Sequence, residues 1–226
     1  MYPQKRRSEY RKQYKKFVIS CEGSVTEREY FDRLQSICWN GVTLDILTSR
    51  NESSPQQVLE RIRNYGKSLK QGDELWCVVD KDHWTDDQIR AVFAWAEEPS
   101  PLFRGVAFSN PKFELWLLAH FMELPVTCGP SECDRLLRPS MSVDGKHIVP
   151  AAFNLASINE AIIRASVACP GGRVPYAFTG TTVGVLVGRI IASADGFSGL
   201  NNVGRQQGDT EAKENSGLPT EIESVV

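Results

Sequence analysis

Residues 16–31, KFVISCEGSVTEREYF, join a short apolar run to a helical pattern through a carboxylate and a glycine. The apolar run in the first half predicts a buried strand. From Val25 onward, and beyond the end of this stretch, Phe31, Leu34 and Cys38 recur at helical spacing, which predicts a helix. Because Gly23 permits a sharp turn between the two, we expect Glu22 to project from the tip of the strand.

The same alternation of strand and helix continues through the first half of the chain. We expect strands at 17–21, 42–47, 74–79 and 103–108, and helices at 25–38, from Pro55 onward with Ser54 as N-cap, at 86–97, and from Pro111 onward with Asn110 as N-cap. This order is typical of α/β domains, so we predict a four-stranded parallel sheet flanked by helices. Ligands of such sheets bind beyond the carboxyl ends of the strands, where polar residues are therefore the candidate site.

The 226 residues divide by composition into four parts. Residues 1–16 hold seven basic residues against one acidic residue, and such an arm is either a nucleic-acid contact or a solvated, disordered terminus. Residues 17–122 carry the strand–helix alternation. Residues 123–200 show weaker, mostly helical patterns around a loop at 170–182, and residues 201–226 are polar, which predicts a disordered tail.

Composition also excludes several classes of protein. The chain is 41% hydrophobic with a net charge of -2, and no run approaches the roughly 20 apolar residues that span a bilayer, so we expect no membrane segment. The six cysteines are scattered, which indicates free thiols and a cytoplasmic protein. Phosphate-binding loops, dinucleotide fingerprints and nucleophile elbows are all missing from the sequence.

Two carboxylates, Asp80 and Asp82, follow the third predicted strand in the sequence VVDKDH. In extended backbone, residues two apart share one side. Two nearby anions repel each other, and Mg²⁺ removes this conflict because it prefers oxygen ligands, commonly carboxylates, waters and phosphate oxygens. Taken alone, the pattern more often marks a solvated turn, because D-x-D after a strand is frequent in loops. His83 could orient water or donate to a phosphate, or be a loop histidine without a function.

Other polar residues near the predicted strand ends extend this candidate site. Glu22 is placed as a metal ligand or general base. Glu27 fits an S-x-x-E capping box and could also serve a metal. Glu114 lies in the first turn of the fourth helix, where its negative charge interacts favourably with the helix dipole, and it could complete an acidic cluster. Lys112 and Asn110 are weaker candidates for contacts with a substrate phosphate.

Three motifs in this order, ISCEGSVTEREYF, ELWCVVDKDH and AFSNPKFELWLLAHF, resemble those of the RloB-like family within the Toprim superfamily. The resemblance covers residues 5–122, and TGTTVGVLVGRI is similar to the family's C-terminal Thr-Thr-Val segment. It implies a Toprim-like fold in which Glu22, Asp80 and Asp82 bind Mg²⁺ or Mn²⁺ for phosphodiester chemistry.

The resemblance also implies supporting residues and a biological setting. Related nucleases add an acid shortly after the first glutamate, which points to Glu27, and the family's F-E-L-W-L motif points to Glu114. Family members are linked to bacterial anti-phage, abortive-infection systems and are often encoded beside an AAA-type ATPase. The sequence departs from the family pattern at Ser24, where an acidic or polar residue is common, and in its glycine-rich C-terminal part.

Together these observations predict a metal-dependent nuclease that cleaves DNA or RNA, tRNA included. Its metal ligands would be Glu22, Asp80, Asp82 and Glu114, with Glu27 as a further catalytic residue. The alternative is a non-catalytic regulatory or interaction subunit of a defence complex, and a homo-oligomer is compatible with both. Nucleotidyl transfer, as in primases of the same superfamily, is less favoured because no template-handling domain is recognisable.

Overall fold

The computed structural model describes residues 14–49, 53–82, 84–141 and 147–194. Within them the elements are β1 (Lys15–Cys21), α1 (Thr26–Ile37), β2 (Val42–Leu47), α2 (Pro55–Arg63), β3 (Glu74–Asp80), α3 (Asp86–Glu97), β4 (Phe103–Asn110), α4 (Glu114–Leu118), α5 (Pro130–Leu137), α6 (Leu155–Ala168), β5 (Gly180–Thr181) and α7 (Val183–Ser193). Strand and helix alternate through α4, as predicted, and helices dominate the remainder. No helix within these ranges has the length and apolar character that crossing a membrane requires.

Three predictions concern residues outside the described ranges. Most of the basic arm lies there, since only its last three residues, 14–16, are described. His83 and the tail at 201–226 also lie outside the described residues. The roles assigned to them stay predictions.

The strands form one sheet in the order β2-β1-β3-β4-β5. The first four are parallel, which confirms the predicted α/β architecture. The structure adds a fifth strand: β5 pairs antiparallel with the end of β4, where Thr181 lies opposite Ser109 and Gly180 lies opposite Asn110. A strand of two residues has no periodicity to detect, so its segment was predicted only as a loop.

Helices cover both faces of the sheet. Phe17 and Ile19 of β1 pack into a core shared with α1, α4, α6 and α7, while Val18 between them packs into a second core shared with α2 and α3. Successive side chains of a strand point to opposite faces, and here both faces are buried. This explains why the strands were recognisable as nearly continuous apolar runs.

Side-chain caps fix the starts of two helices on the second face. The Ser54 hydroxyl accepts a hydrogen bond from the Gln57 backbone N–H at 3.3 Å, and Pro55 occupies the first helical position, as predicted. Thr85 and Gln88 form the same reciprocal cap at α3. The predicted bounds of α3, residues 86–97, agree with the structure at both ends.

The start of α4 differs from the prediction. β4 continues through Asn110, and α4 begins only at Glu114, with Phe113 as its N-cap. The prediction that Asn110 caps this helix is therefore wrong. Its side-chain amide instead donates to the carbonyls of Pro175 and Tyr176, at 2.9 and 3.2 Å, and so holds the segment before β5 against the end of β4.

The C-terminal helices belong to the same core as the sheet. Ala161 of α6 and Leu186 of α7 pack in one cluster with Phe17 of β1 and Trp116 of α4. In a closely packed interior, such shared contacts make each element depend on the others for burial of its apolar face.

An ion-pair network, the Glu74 clasp (Glu74, Lys15, Trp76, Arg189), fastens α7 to the amino end of the sheet. The Glu74 carboxylate accepts hydrogen bonds from the Arg189 guanidinium at 2.8 and 2.9 Å, from Lys15 at 2.6 Å and from the Trp76 indole at 2.9 Å. Its side chain is only 2% exposed. The clasp thus satisfies a buried charge at the edge of the sheet opposite the strand ends that carry Glu22 and Asp80.

Candidate active site

The carboxyl ends of β1 and β3 bring Glu22 and Asp80 together. These strands are parallel neighbours; Glu22 directly follows β1, and Asp80 is the last residue of β3. The Glu22 carboxylate accepts a hydrogen bond from the Asp80 backbone N–H at 3.2 Å. The Glu22 backbone N–H donates to the Val78 carbonyl, also at 3.2 Å. Two of the predicted site residues therefore meet at one edge of the sheet.

A tryptophan from the loop before α3 also holds Glu22. The Trp84 indole N–H donates to the Glu22 carboxylate, while its ring packs against the core on the α2–α3 face. Two donors thus orient the Glu22 carboxylate. Sequence reasoning missed Trp84, because a tryptophan in a loop belongs to no motif that would predict this contact.

Glu27 is buried in the first turn of α1. Its carboxylate accepts a hydrogen bond from the Gly23 backbone N–H at 2.7 Å, one residue earlier than a capping box requires. The capping-box prediction is wrong, since Val25 is the N-cap and no side chain caps the helix. Burial, with the negative charges of Glu114 and Glu22, raises the pKa of Glu27 to about 7.

The Asp80 side chain is half-buried among like charges. Its Oδ1 atom has no hydrogen-bond partner. Burial, and then the negative charges of Glu22, Glu27 and Glu114, raise the pKa of Asp80 well above its ordinary value. Burial also raises the pKa of Glu114. These four residues therefore form one electrostatic unit, the acid cluster (Glu22, Glu27, Asp80, Glu114).

Asp82 is separated from Asp80 by a turn. β3 ends at Asp80, and Asp82 has a φ of 28°, in the left-handed region. The Asp82 backbone N–H donates to the Pro111 carbonyl at 3.1 Å. The two aspartates are therefore not neighbours on one side of an extended strand, as the D-x-D pattern suggested, because the chain is not extended between them. The assignment of Asp82 as a metal ligand stays a prediction.

Lys112 is the cation closest to Glu114 among the ion pairs of the described residues. Its ammonium lies 3.8 Å from the Glu114 carboxylate and 2.7 Å from that of Asp134 on α5. Burial opposes the charge on Lys112, but these two carboxylates outweigh it and raise the pKa of Lys112. Lys112 thus links the start of α4 to α5. Its contact with a substrate phosphate, like that of Asn110, stays a prediction.

Arg61 of α2 brings a second positive charge behind Glu22. Its guanidinium donates to the carbonyl of Cys21, the residue before Glu22, and to the Ser53 hydroxyl at 2.8 Å, while its buried Nε atom has no partner. Burial lowers the pKa of Arg61, against the opposing effect of nearby groups that include Glu22. Sequence reasoning missed Arg61 because it resembles any basic residue beside the apolar face of a helix.

The chemistry of the acid cluster suits a divalent cation. It offers carboxylate oxygens, the ligands that Mg²⁺ and Mn²⁺ prefer, and an unpartnered Asp80 oxygen among them. Within the described ranges, however, no three His, Cys, Asp or Glu side chains converge into a ready metal centre. The Glu22 and Glu27 carboxylates each accept a hydrogen bond from a backbone N–H group, those of Asp80 and Gly23 respectively.

Gly23→Ala is expected to displace Glu27. A Cβ atom on Gly23 would lie 2.0 Å from Glu27 Oε2, so the carboxylate would have to leave the Gly23 N–H. Loss of a residue that supports ligands typically weakens metal binding about 10–100-fold. We expect the apparent dissociation constant for Mn²⁺ to rise by this factor. It is measured from the increase of Tm with Mn²⁺ concentration.

The matched control is Gly66→Ala, since a Cβ atom at Gly66 would have no neighbour within 4 Å. Its titration should match that of the wild type. Identical Mn²⁺ titrations for the two glycine variants would contradict a role for Glu27 at the site.

Comparison with known proteins places the chain in a family. A family model described as RloB-like protein matches residues 17–190, which is more than half of the chain and includes both the sheet and the C-terminal helices. No curated protein and no solved structure matched it. The family match agrees with the resemblance of the three sequence motifs. This protein belongs to the RloB-like family.

Proposed function

We propose that this protein is a metal-dependent nuclease whose active site is the acid cluster. The observation that carries the proposal is the Asp80 carboxylate, which has a buried, unpartnered oxygen and three acidic neighbours. An uncompensated buried charge is costly, and such arrangements concentrate at functional sites. Membership of the RloB-like family is compatible with this activity.

Each acid has a role in this proposal. Glu22, Asp80, Asp82 and Glu114 would hold one or two Mg²⁺ or Mn²⁺ ions. Such ions supply Lewis acidity at a phosphate and lower the pKa of bound water. Glu22, whose carboxylate accepts hydrogen bonds from two N–H donors, would accept or return a proton beside Asp80. Glu27, anchored on Gly23, would support the ligands from α1.

The proposed substrate is DNA or RNA, tRNA included. The basic residues at the start of the chain would add contacts with phosphates that are independent of sequence and sensitive to salt. The resemblance to anti-phage proteins supplies the setting: an effector in the bacterial cytoplasm, held or triggered by an AAA-type ATPase, and able to self-associate.

A cleavage assay with matched variants tests the proposal. Plasmid DNA, single-stranded DNA and bulk tRNA are incubated with Mg²⁺, Mn²⁺ or EDTA, with and without a neighbouring AAA-type ATPase. We expect metal-dependent cleavage by the wild type and by Glu97→Gln, a change at an exposed residue at the end of α3. Glu22→Gln should lose about a hundredfold or more, since each ~1.4 kcal/mol of transition-state stabilisation is worth tenfold.

The opposite result is equally clear. If the folded wild type cleaves none of these substrates with either metal, alone or with the ATPase, the nuclease proposal fails. The regulatory-subunit interpretation would then take its place.

A further inference from the structure

Backbone hydrogen bonds hold the turn between β3 and α3 against the end of β4. In this DKD turn (Asp80, Lys81, Asp82), the Lys81 N–H donates to the Ser109 carbonyl at 2.8 Å, and the Asp82 N–H donates to the Pro111 carbonyl at 3.1 Å. Asp82 has a φ of 28°, and a residue other than glycine keeps such a backbone only where surrounding contacts fix it. The shape of the DKD turn therefore depends on the contacts around it.

The Lys81 side chain connects this turn to a segment far away in the sequence. Its ammonium lies over the Tyr176 ring, 3.9 Å from the ring centroid, and 3.0 Å from the Asp86 carboxylate at the start of α3. A cation in this position is attracted by the negative face of the aromatic ring. Only 24% of the Lys81 side chain is exposed, so water and salt screen the attraction less than they would on an open surface.

Tyr176 is itself held against β4. Its ring stacks on that of Phe108, with the ring centroids 6.2 Å apart and the planes inclined by 15°. The Asn110 side-chain amide donates to the Tyr176 carbonyl at 3.2 Å. Farther along the same segment, the Thr182 N–H donates to the Phe108 carbonyl at 2.9 Å. The aromatic ring that receives the ammonium is thus fixed in place before the DKD turn is considered.

We propose that Tyr176 is a positioning residue: acting through Lys81, it fixes the DKD turn that carries Asp80 and the proposed ligand Asp82. This inference rests on the proposed nuclease function and gives the segment before β5 a part in it. Metal ligands bind tightly only when the groups behind them hold them in a productive geometry. Loss of the Tyr176 ring would leave every carboxylate intact and would loosen the turn that holds two of them.

Three variants separate the ring face from the rest of the segment. Tyr176→Leu keeps an apolar side chain but removes the ring face, whereas Tyr176→Phe keeps that face. The matched control is Phe178→Leu, because the Phe178 ring also receives a cation, with the Arg173 guanidinium carbon 5.1 Å from its centroid. Hydrogen exchange of the intact, metal-free protein, followed by NMR at the Lys81 and Asp82 N–H groups, reports on the DKD turn directly.

Tyr176→Leu is expected to speed exchange at Lys81 and Asp82 about three- to thirtyfold, which is the effect of losing one partly desolvated cation–π contact. The N–H groups in the middle of β3 should exchange as in the wild type, since only a general loss of stability would affect them. Exchange at the DKD turn in Tyr176→Phe and Phe178→Leu should stay within about twofold of the wild type.

Metal affinity is the second measurement on the same variants. From the increase of Tm with Mn²⁺ concentration, the dissociation constant for Mn²⁺ should rise about tenfold in Tyr176→Leu and change little in Tyr176→Phe and Phe178→Leu. Saturating Mn²⁺ should restore most of the cleavage rate of Tyr176→Leu, because its metal ligands are intact. Excess metal would not restore the rate if the substitution had removed a catalytic group.

The inference is overturned if exchange at the DKD turn in Tyr176→Leu matches that of the wild type, or if Phe178→Leu or Tyr176→Phe speeds it equally. The outcome is separable from that of the proposed function. Fast exchange confined to Tyr176→Leu, in a protein that neither binds Mn²⁺ nor cleaves, supports the role of Tyr176 in fixing the turn and refutes the nuclease. Metal-dependent cleavage, with exchange and Mn²⁺ affinity unchanged in Tyr176→Leu, supports the nuclease and refutes the role of Tyr176.

Discussion

Asp80→Asn is expected to abolish cleavage and, at the same time, to stabilise the metal-free protein. Asparagine keeps the shape of the side chain but removes the charge that Glu22, Glu27 and Glu114 repel. Activity should fall about a thousandfold, since several kcal/mol of transition-state stabilisation depend on the metal ligands. A gain of ~1 kcal/mol in unfolding free energy at neutral pH would raise Tm by about 2–4 °C.

The sign of the pH dependence follows from the raised pKa of Asp80. In the folded protein this carboxyl ionises only above its ordinary range, so its charge destabilises the fold at high pH and not at low pH. The stability advantage of Asp80→Asn should therefore shrink as the pH falls to 4, and vanish below about pH 3, where Asp80 is protonated in both the folded and unfolded states.

Thermal unfolding in EDTA from pH 4 to pH 8, with cleavage assays in Mn²⁺, measures both effects. The control is Asp87→Asn on α3, whose side chain is 95% exposed and should matter for neither property. If the metal-free Asp80→Asn protein unfolds at a lower temperature than the wild type at pH 7, the interpretation that like charges destabilise the Asp80 carboxylate is contradicted.

Arg189→Met is expected to give the largest loss of stability. It removes the two hydrogen bonds that α7 gives to the Glu74 carboxylate and leaves that buried charge with Lys15 and the Trp76 indole. Breaking a buried pair by removing one partner typically costs about 3–5 kcal/mol. Because the Arg189 side chain is 40% exposed, we expect the lower end of that range, and thus a Tm lower by ~6–12 °C.

The Glu74 clasp also makes the stability of the fold depend on pH. Burial alone would raise the pKa of Glu74, but the hydrogen bonds from Arg189, Lys15 and Trp76 outweigh it and lower that pKa. A carboxyl with a lowered folded pKa stabilises the fold above its unfolded pKa, and this contribution is lost as the pH falls. The difference in unfolding free energy between the wild type and Arg189→Met should therefore become smaller below about pH 4.

Urea and thermal unfolding at pH 7 and pH 3.5 measure this prediction. Arg90→Met on α3 is the control, because Arg90 is exposed and its ion-pair distances are 3.7 and 3.9 Å. Adding Glu74→Gln to Arg189→Met should recover part of the loss, since it removes the abandoned charge but keeps an acceptor for Trp76. The stabilising role of the clasp would be contradicted if Glu74→Gln restored no stability to Arg189→Met and if Arg189→Met and Arg90→Met lost equal amounts of stability.

The fold was predictable to the extent that it depends on local signals. Four apolar runs alternate with helical patterns, and the order of elements alone implies a parallel sheet. Caps such as Thr85 with Gln88 mark helix starts within four residues of sequence. β5 was not predictable, because its two residues form a strand only through pairing with the end of β4.

The candidate site, like the fold, was predictable only where it depends on local signals or on strand order. The meeting of Glu22 and Asp80 follows from the rule that parallel strands present their carboxyl ends at one edge. Arg61 and Trp84 were missed because their contacts arise only when α2 and the loop before α3 pack beside β1. The separation of Asp82 from Asp80 depends on a backbone turn that the D-x-D spacing does not reveal.

The position of α7 late in the chain has a consequence for protein synthesis. Ribosomes build the chain from its amino end, so the core face covered by Leu186 and Ile190 stays open until α7 has emerged. A prematurely terminated product would expose that face, leave Glu74 without Arg189, and be removed by cellular proteases. A partial translation product that already carries all four acids is therefore expected to be unstable, so that the acid cluster persists only in a chain that extends through α7.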